Sequence, residues 1–292
     1  MIHNSKAFHL TMEIIMILLA LACLLPFVLL FICSITAEND LILYGYSFVP
    51  RTFSAEAYEY LWGVRGSILQ SYLMSVVITA IGTVANVTIT TLFAYPLSRP
   101  DLPGRRALSF FLFFSMLFNG GFVPTYMVYT QILHIKDTLA AMIVPYLLMN
   151  AFYVIMMRAY ISQNIPSEVS EAARIDGAGE LQCLWRVVLP MSKPIIGTVA
   201  LMSAIAYWND WKNGIYFIIT RQDLFGIQNY LNSVMSSATF LSSHMTIGTN
   251  IKVPSVGIRM AIAVIAVLPV LAGYPFFQRF FVKGITIGSV KG

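Results

Sequence analysis

A short run of polar and aromatic residues interrupts an otherwise apolar stretch at positions 207–213, where the chain reads Tyr-Trp-Asn-Asp-Trp-Lys-Asn. Charged and amide groups within an apolar span are costly and are functional candidates by default. Aromatic rings suit the apolar C–H faces of a sugar, and amide and carboxylate groups suit its hydroxyls. A continuous helix would place Asn209 and Asn213 on one face, because they are four residues apart. The run therefore predicts a solute pathway, with the candidate residues Trp208, Asn209, Asp210, Trp211 and Asn213.

The same run has a simpler interpretation. Asp210 and Lys212 would pair with neighbouring helices or reach the outer interface of the membrane, and the aromatic rings would pack against lipid. Asn86, Asn119 and Tyr126 are weaker pathway candidates, because an amide within a span more often bonds a neighbouring helix than a ligand.

The motifs that support catalysis or metal binding are missing from the sequence. It contains no Gly-x-x-x-x-Gly-Lys-Ser/Thr phosphate loop, no His-Glu-x-x-His helix and no Gly-x-Ser-x-Gly turn. The histidines lie outside the apolar runs, and the cysteines show no paired spacing. We therefore expect no catalytic residue, no metal site and no disulfide framework. The residues concerned are His3, His9, His134, His244, Cys23, Cys33 and Cys183.

The composition indicates a membrane protein. Of the 292 residues, 58% are hydrophobic and only 11% are charged, whereas soluble domains carry about 25% charged residues. Two stretches, Ile14–Ile35 and Ser71–Ser98, contain no charged residue. Each exceeds the roughly 20 residues that cross a bilayer as a helix. This pattern excludes a soluble enzyme, a nucleic-acid-binding domain and a disulfide-stapled secreted fold.

The apolar runs predict an all-α membrane protein with six transmembrane helices. The first run is retained as a span, because it is longer than the core of a signal peptide and no small-residue cleavage site follows it. The chain then divides into an N-terminal span with its outer loop (1–70), a core of five spans (71–282) and a C-terminal tail (283–292). The predicted spans are 12–36, 71–98, 107–133, 138–161, 194–219 and 258–282, joined by long loops at 37–70 and 220–257 and a polar segment at 162–193.

The basic residues predict the orientation in the membrane. With both termini in the cytoplasm, 11 of the 18 lysines and arginines fall on the cytoplasmic side, as the positive-inside rule requires. The net charge of +5 is explained in the same way, without a nucleic-acid partner. The cytoplasmic basic residues are Lys6, Arg99, Arg105, Arg106, Arg158, Arg174, Arg186, Lys193, Arg279, Lys283 and Lys291.

Helix-breaking residues fall inside several predicted spans. Asn119–Gly121 and Pro124 interrupt the third span, Pro145 the fourth, and Pro269 and Pro275 the sixth. Irregular backbone at membrane depth is tolerated where it is buried in protein or lines a cavity. An ordinary proline kink without a function is the alternative.

The polar segment contains a predicted pair of short helices joined by a turn. Pro166 followed by Ser167 suits a helix start that is capped by the serine hydroxyl. The cluster Gly177–Gly179 breaks this helix, and Pro190 ends the second one. The second helix is predicted from apolar residues at helical spacing, namely Leu181, Leu184, Trp185 and Val188.

The first of these helices carries Glu171 directly before the small pair Ala172-Ala173. Small side chains allow a helix to enter a protein groove closely, and a carboxylate there can pair with an arginine of a partner. A helix that simply lies on the membrane surface is the alternative.

The spacing of this segment resembles the EAA loop of permease subunits of bacterial ABC importers. The matching residues are Glu171-Ala172-Ala173, then Gly177 after three residues, then Val187-x-Leu189-Pro190 after nine more. The stretches Phe118–Tyr126 and Tyr274–Gly292 are similar to carbohydrate importer permeases. They resemble most the maltose-permease-like branch that ends in Val-Lys-Gly and serves complex or oligomeric saccharides.

The resemblance implies a type I ABC importer permease fold with a cytoplasmic EAA coupling helix that docks on an ATPase. Glu171 would pair with a basic residue of the ATPase, Ala172 and Ala173 would pack in its cleft, and Gly177 would allow the turn. In maltose-type relatives the C-terminal tail reaches between the two ATPase subunits. The implied coupling residues are Glu171, Ala172, Ala173, Asp176, Gly177, Leu189 and Pro190, and the implied tail contacts are Gly288, Lys291 and Gly292.

The resemblance also implies the partners of the chain in the bacterial cytoplasmic (inner) membrane. They are a second permease subunit, a dimer of ATPase subunits that bind ATP and magnesium, and an extracytoplasmic solute-binding protein. The chain itself would be no enzyme, would hold no cofactor and would form half of the pathway for an oligo- or polysaccharide. An importer of another polar solute, such as a peptide or a polyamine, is the alternative. An intramembrane enzyme ranks lower, because the spans lack convergent histidines. A secondary transporter also ranks lower, because it would not need an EAA loop.

Overall fold

A computed structural model of the chain describes residues 6–244, 256–269 and 271–272. These residues form helices joined by turns, and this part of the chain contains no β-strand, only an isolated antiparallel bridge between Thr36 and Phe53. Helices suit a bilayer, because each pairs its backbone groups within its own segment. The predicted all-α class is confirmed.

The helices are numbered along the described chain. The first eight are α1 (Lys6–Ser34), α2 (Glu38–Tyr44), α3 (Glu56–Gly63), α4 (Arg65–Ser98), α5 (Arg105–Leu117), α6 (Phe122–Met127, continued by a π turn at Val128–Ile132), α7 (Leu139–Ile143) and α8 (Ala151–Asn164). The others are α9 (Ser167–Ile175), α10 (Glu180–Cys183, continued by a π turn at Leu184–Val188), α11 (Leu189–Met191), α12 (Lys193–Trp208), α13 (Lys212–Phe217), α14 (Ile227–His244) and α15 (Val256–Pro269).

Two helices, α1 and α4, are each long and apolar enough to cross a membrane. Two bent pairs pass the same test of length and composition, so the described residues contain up to four such spans. One pair is α5 with Phe122–Ile132, bent by 114°, and the other is Glu180–Met191 with α12, bent by 83°. The shorter apolar helix α15 lies where the sixth span is predicted.

The predicted breakers of the third and fourth spans produce real interruptions, whereas in the sixth Pro269 is the last residue of α15 and Pro275 lies outside the described residues. Between α5 and α6, Gly121 has a φ of +90°, a conformation that glycine adopts without the strain of a side chain. The predicted fourth span is divided into α7 and α8, and Tyr146 between them, directly after Pro145, has a φ of +63°. Arguments from an unbroken helical period therefore do not hold across these segments.

Both predicted long loops contain helices, so that part of the prediction is wrong. Helices α2 and α3 lie within 37–70, α4 begins at Arg65 instead of residue 71, and α14 takes up 18 residues of 220–257. The prediction relied on hydropathy. Helices α3 and α14 are rich in polar residues, and hydropathy does not distinguish such helices from loops.

The described residues form two compact units, one within Met1–Leu69 and Tyr230–Ala272 and the other comprising Gln70–Asn229. In the first unit, Glu38 accepts hydrogen bonds from the backbone N–H groups of Val256 (3.1 Å) and Gly257 (2.9 Å). A carboxylate is favoured there, because the first turn of a helix has unpaired N–H groups.

Two apolar clusters of the second unit position the candidate sites. The first packs the C-terminal end of α4 and helix α8 against the segment from Cys183 to Val199. The second packs α7 and part of α4 around Tyr207 and Phe217. The first cluster supports the predicted coupling segment, and the second supports the polar run 207–213.

Candidate functional site

Helix α9 carries the predicted coupling residues and ends in a left-handed turn at Gly177. The N–H of Gly177 donates to the carbonyl of Arg174, and the N–H of Ala178 donates to that of Ala173, both at 2.9 Å. Gly177 has a φ of +84°, which costs a residue with a Cβ roughly 1–2 kcal/mol. The predicted helix break at the glycine cluster is confirmed, and its cause is this backbone conformation.

Helix α9 has no buried residue. Glu171, Ala172 and the following Asp176 are exposed, and Ile175 is exposed by 86%. Ala173 is half-buried and packs against the first apolar cluster. The helix therefore presents a carboxylate, a small side chain and an isoleucine on a surface that the rest of the described chain leaves uncovered.

The predicted serine cap at the start of α9 is wrong. The hydroxyl of Ser167 makes no capping hydrogen bond, and the helix begins directly after Pro166. Instead, the carbonyl of Pro166 accepts from the N–H of Val169 at 3.3 Å.

The second helix of the predicted pair also differs from expectation. Pro190 does not end it, because the chain stays helical to Met191. Pro190 lies in the first turn of α11, where a missing N–H is tolerated. Leu189 is half-buried and packs against the first cluster, whereas Pro190 is exposed. The four apolar residues of the predicted face divide into a buried pair and an exposed pair: Leu184 and Val188 inside, Leu181 and Trp185 outside.

Four charged residues join α9 to the end of α4, and we call them the charge ring: Arg99, Asp101, Arg174 and Glu180. Arg99 forms two hydrogen bonds to Asp101 (3.0 and 3.1 Å) and an ion pair with Glu180 (3.2 Å). Arg174 pairs with Glu180 and lies 3.7 Å from Asp101. The buried hydroxyl of Tyr95 on α4 donates to Glu180 at 2.9 Å.

The electrostatics of the ring keep its carboxylates ionised. The hydrogen bond that Asp101 accepts from Arg99 holds the pKa of the Asp101 carboxyl below the ordinary range. Burial by itself would raise the pKa of Glu180, but hydrogen bonds from Tyr95 and Arg174 and the charge of Arg99 lower it overall. The sequence analysis placed Arg99 and Arg174 on the cytoplasmic side but missed the two carboxylates and the pairing of the four residues. The only local indication was the pair Arg99-x-Asp101 at the turn after α4.

A cavity of about 720 Å³ lies beside the ring and α9. Its walls come from the end of α4, the end of α8 and the face of α9 that includes Ser170, Glu171 and Arg174. Glu171 therefore borders open space and not an apolar interface.

The polar run 207–213 does not form one helix, so the predicted shared face of Asn209 and Asn213 is wrong. Helix α12 ends at Trp208 and α13 begins at Lys212. Asp210 causes the restart, because its carboxylate accepts from the N–H groups of Lys212 (3.1 Å) and Asn213 (3.4 Å).

The residues of this run differ in exposure. Asn209 is exposed and its side chain bonds only its own helix, through the carbonyl of Ile205 at 3.0 Å. Trp211 is 40% exposed. Asn213 is 1% exposed and donates to the carbonyl of Pro145 at 3.0 Å. Asn213 thus ties α13 to the break between α7 and α8.

Three polar atoms of the run are buried without a hydrogen-bond partner in the described part of the chain: Trp208 Nε1, Asp210 Oδ2 and Asn213 Oδ1. Buried polar atoms in proteins are nearly always paired with protein, water or a ligand. This donor and these two acceptors are therefore available to a group that the isolated chain does not supply.

The weaker candidates have separate structural roles. Asn86 is buried and donates to the carbonyls of Leu147 (2.8 Å) and Leu148 (3.2 Å), which is the helix-joining role considered as its alternative. Asn119 is exposed, and its side chain accepts from the N–H of Gly121. Tyr126 is half-buried and stacks on Phe217, with the ring centroids 5.7 Å apart.

Asp137 forms a clamp that the sequence analysis missed. One carboxylate oxygen accepts from the backbone N–H groups of Ile219 (2.6 Å), Thr220 (2.8 Å) and Arg221 (3.4 Å). The turn between α6 and α7 is thereby fastened to the chain that leaves α13. A lone carboxylate in a tight turn between two apolar runs was the available indication.

Some predicted sites cannot be placed. The tail residues Gly288, Lys291 and Gly292 lie outside the described residues. Within the described ranges, no group of three or more His, Cys, Asp or Glu residues is arranged to hold a metal ion.

Known proteins resemble the chain over nearly its whole length. Residues 1–287 match the family described as binding-protein-dependent transport system inner membrane component. The chain is 36% identical to the polygalacturonan/rhamnogalacturonan transport system permease protein YtcP of Bacillus subtilis (strain 168), over 99% of this chain and 100% of that protein. It is 29% identical to the trehalose/maltose transport system permease protein MalG of Thermococcus litoralis, over 94% of each.

A solved structure shares the fold. It is a crystal structure of a bacterial ABC transporter involved in the import of the acidic polysaccharide alginate, matched with a TM-score of 0.79 and 28% identity. The match covers 96% of this chain and 100% of that one. The family predicted from the EAA-type spacing is confirmed: the chain belongs to the binding-protein-dependent transport system inner membrane components, the permease subunits of ABC importers.

Proposed function

We propose that the chain is one of two transmembrane subunits of an ATP-driven importer and forms half of the translocation pathway for an oligo- or polysaccharide. The observation that carries this proposal is the uncovered surface of α9 around Glu171, in a permease whose relatives are named for saccharides. Besides the relatives above, a 27% identical permease of Bacillus subtilis (strain 168) is named for melibiose, raffinose and stachyose. These names favour a saccharide over a peptide or a polyamine.

The proposed topology has six spans with both termini in the cytoplasm of a bacterial cell. Helices α1 and α4, the two bent pairs and α15 support it. An N-terminal part (1–70), a five-span core (71–282) and a tail (283–292) remain the proposed division. The turn that carries Arg99, Arg105 and Arg106 then lies in the cytoplasm together with α9, in agreement with the positive-inside rule.

The proposed coupling site is the surface of α9 with its flanking turns. Glu171 would pair with a basic residue of a cytoplasmic ATPase subunit, and Ala172 and Ile175 would pack in its cleft. Ala173, which the family resemblance also assigns to the cleft, would instead hold α9 against the first apolar cluster. Asp176 and Gly177 form the end of the helix, and Leu189 and Pro190 join the segment to the first apolar cluster. The exposure of Glu171 and Ile175 supports this assignment.

ATP and magnesium would be bound by the partner subunits, because the sequence contains no phosphate loop. Closure of an ATPase dimer would move α9 and tilt the spans from inward-open to outward-open. ATP drives this change only in so far as it binds one state more tightly than the other. An extracytoplasmic binding protein would deliver the saccharide to the outward-open state, and the tail with Gly288, Lys291 and Gly292 would contact the ATPase.

The proposed substrate surface comprises Trp208, Asn209, Asp210 and Trp211, with Asn119 and Tyr126 as further contributors. The exposed amide of Asn209 and the unpaired atoms of Trp208 and Asp210 support it, because saccharide hydroxyls both donate and accept. Asn213, whose side-chain N–H group is held by the carbonyl of Pro145, would keep this surface in place and offer its unpaired Oδ1 as a further acceptor.

Reconstitution tests the function. The chain is purified with its partner permease, its ATPase and its binding protein, and proteoliposome uptake of labelled galacturonan, rhamnogalacturonan and raffinose-type oligosaccharides is compared with that of a peptide and of spermidine. We expect ATP-dependent uptake of at least one saccharide and none of the peptide or the polyamine. Accumulation of a solute by this chain alone, or uptake of only the peptide or the polyamine, would contradict the proposal.

A further inference from the structure

The attachment of α9 to the rest of the second unit is unusually polar. Helix α9 has no buried residue, and Ala173 is its one side chain packed against the first apolar cluster in the described chain. Its C-terminal connection passes through the left-handed turn at Gly177. Apolar packing therefore holds this helix weakly, and its side-chain link to α4 and the turn after it is made by Arg174.

The charge ring closes on itself. Arg174 contacts Glu180 and Asp101, and Arg99 contacts the same two carboxylates. Each cation thus lies between two anions, so the four side chains form a loop and not a single exposed pair. Arg99 is only 17% exposed and its bond to Asp101 is bidentate, which is the strong geometry for a guanidinium and a carboxylate.

The ring is anchored in the interior through Tyr95. Its hydroxyl donates to the same Glu180 oxygen that faces Arg99, and its ring is 6% exposed within the first apolar cluster. Asp101 lies in the turn that leads into α5. The ring therefore connects one short surface helix to two helices, α4 and α5, at the point where one ends and just before the other begins.

We propose that the charge ring is the mechanical link through which a displacement of α9 reaches α4 and α5. This inference rests on the proposed function, because it assigns the route by which the coupling site acts on the spans. Arg99, Asp101, Arg174 and Glu180 are positioning residues: they touch neither the solute nor the nucleotide. Arg174 and Glu180 are the more exposed pair, with 35% and 54% of their side chains accessible. Exposed ion pairs contribute little to folding stability, so opening the ring at these two residues should loosen the joint and leave the fold intact.

The test compares Arg174→Gln and Glu180→Gln with the unmodified chain in the complete reconstituted complex. Three quantities are measured: the amount of ATPase that co-purifies, the rate of ATP hydrolysis, and the uptake of a labelled galacturonan oligosaccharide. We expect normal assembly, retained hydrolysis and at least about a threefold drop in solute transported per ATP, the size of effect typical of residues that couple two sites. The double variant should be no worse than either single one, because both open the same ring.

Two further variants separate a mechanical role from a structural one. Arg174→Lys keeps the cation and should recover most of the transport per ATP. Gln163→Ala on α8 lines the same cavity, lies outside both the ring and α9, and should behave like the unmodified chain. Transport per ATP that is unchanged in both Gln variants would overturn the inference. The inference would also be overturned if Arg174→Lys and Arg174→Gln had the same lowered melting temperature and lost transport equally.

A direct measurement follows the joint itself. Spin labels at Ser167→Cys on α9 and Ala107→Cys on α5, with Cys23 replaced by alanine, report the distance between the two helices. With the ring intact, ATP should leave the distance between the two labels unchanged. In Arg174→Gln, ATP should broaden the distribution of this distance. An unmodified complex that neither binds the ATPase nor transports would instead contradict the proposed function.

Discussion

The ring of Tyr207 lies directly against Gly82, and a Cβ added at position 82 would fall 2.5 Å from ring atoms Cε1 and Cζ. The tyrosine has little room to yield, because it is 3% exposed and its hydroxyl donates to the carbonyl of Ile143 at 3.0 Å. One glycine thus lets α4, α7 and α12 meet at a single contact. Close approach of helices at small residues is common in membrane proteins.

Gly82→Ala should therefore destabilise the permease by about 1–3 kcal/mol, the usual cost of overpacking a core. The measurement is the midpoint of thermal unfolding in detergent. Gly66→Ala is the matched control, because it lies in the same helix and a Cβ there has no heavy atom within 4 Å. Equal midpoints for the two variants would show that Tyr207 moves aside freely.

Gly177→Ala should weaken assembly with the ATPase. A Cβ at this position meets nothing within 4 Å, so the effect comes from the φ of +84° alone and amounts to roughly 1–2 kcal/mol. Gly177→Asn should lose less, because asparagine tolerates the left-handed conformation better. Co-purification of the ATPase subunit measures the order Gly, Asn, Ala. An alanine variant that retains more ATPase than the asparagine variant would contradict the explanation.

Asp137→Asn should change how stability depends on pH. Hydrogen bonds from the backbone, above all from Thr220, hold the pKa of the Asp137 carboxyl below its ordinary value. The stabilisation is therefore complete above the ordinary pKa of about 4 and is lost as the pH falls through the lowered value. We expect a lower melting temperature for Asp137→Asn at neutral pH and a smaller further fall on acidification. Glu56→Gln, at an exposed carboxylate of α3, is the control. Parallel pH curves for Asp137→Asn and the unmodified chain would refute the clamp.

Asn209→Leu and Asn213→Leu should separate transport from stability. Asn209 is exposed and bonds only its own helix, so its replacement should lower saccharide uptake and leave the melting temperature unchanged. Asn213→Leu leaves the buried carbonyl of Pro145 without its donor, at a cost of about 1–3 kcal/mol. Uptake and thermal unfolding are measured on the same preparations. Normal uptake by Asn209→Leu would remove this residue from the substrate surface.

Glu171→Lys should dissociate or uncouple the ATPase, because it reverses the charge at the centre of the uncovered α9 surface. Saccharide-stimulated ATP hydrolysis in the reconstituted complex is the measurement. Glu56→Lys reverses an equally exposed carboxylate in the first predicted outer loop and should leave hydrolysis unchanged. If stimulated hydrolysis survives in Glu171→Lys, α9 is not the docking surface.

The sequence predicted features that depend on neighbouring residues, and it failed for features that depend on residues far apart along the chain. The end of α9 depends on Gly177 and its immediate neighbours, and its position was predicted correctly. The break between Asn209 and Asn213 depends on capping by Asp210 and on Pro145, 68 residues from Asn213, and a helical period could not anticipate it. The charge ring joins Arg99 to Glu180, which are 81 residues apart, and a single sequence does not predict such a contact.

Hydropathy had a complementary limit. It located α1 and α4, whose apolar character is unambiguous, but it missed α14, a helix with many serines and asparagines. The exposure of the coupling surface was likewise beyond its reach. Glu171, Ala172 and Ile175 are candidates for docking because they are exposed. Their exposure depends on how the rest of the chain packs, which the sequence alone does not show.

Helix α9 has nine residues, which is fewer than the roughly 12–15 that an isolated helix needs to persist in water. Its shape is therefore imposed by Gly177, Ala173 and Arg174, and so by the remainder of the permease. A synthetic peptide with the sequence of residues 167–175 would be largely unstructured and would have to pay the ordering entropy on binding. Such a peptide would be a poor competitor for the intact subunit, and an effective mimic would need a covalent constraint that reproduces the turn at its end.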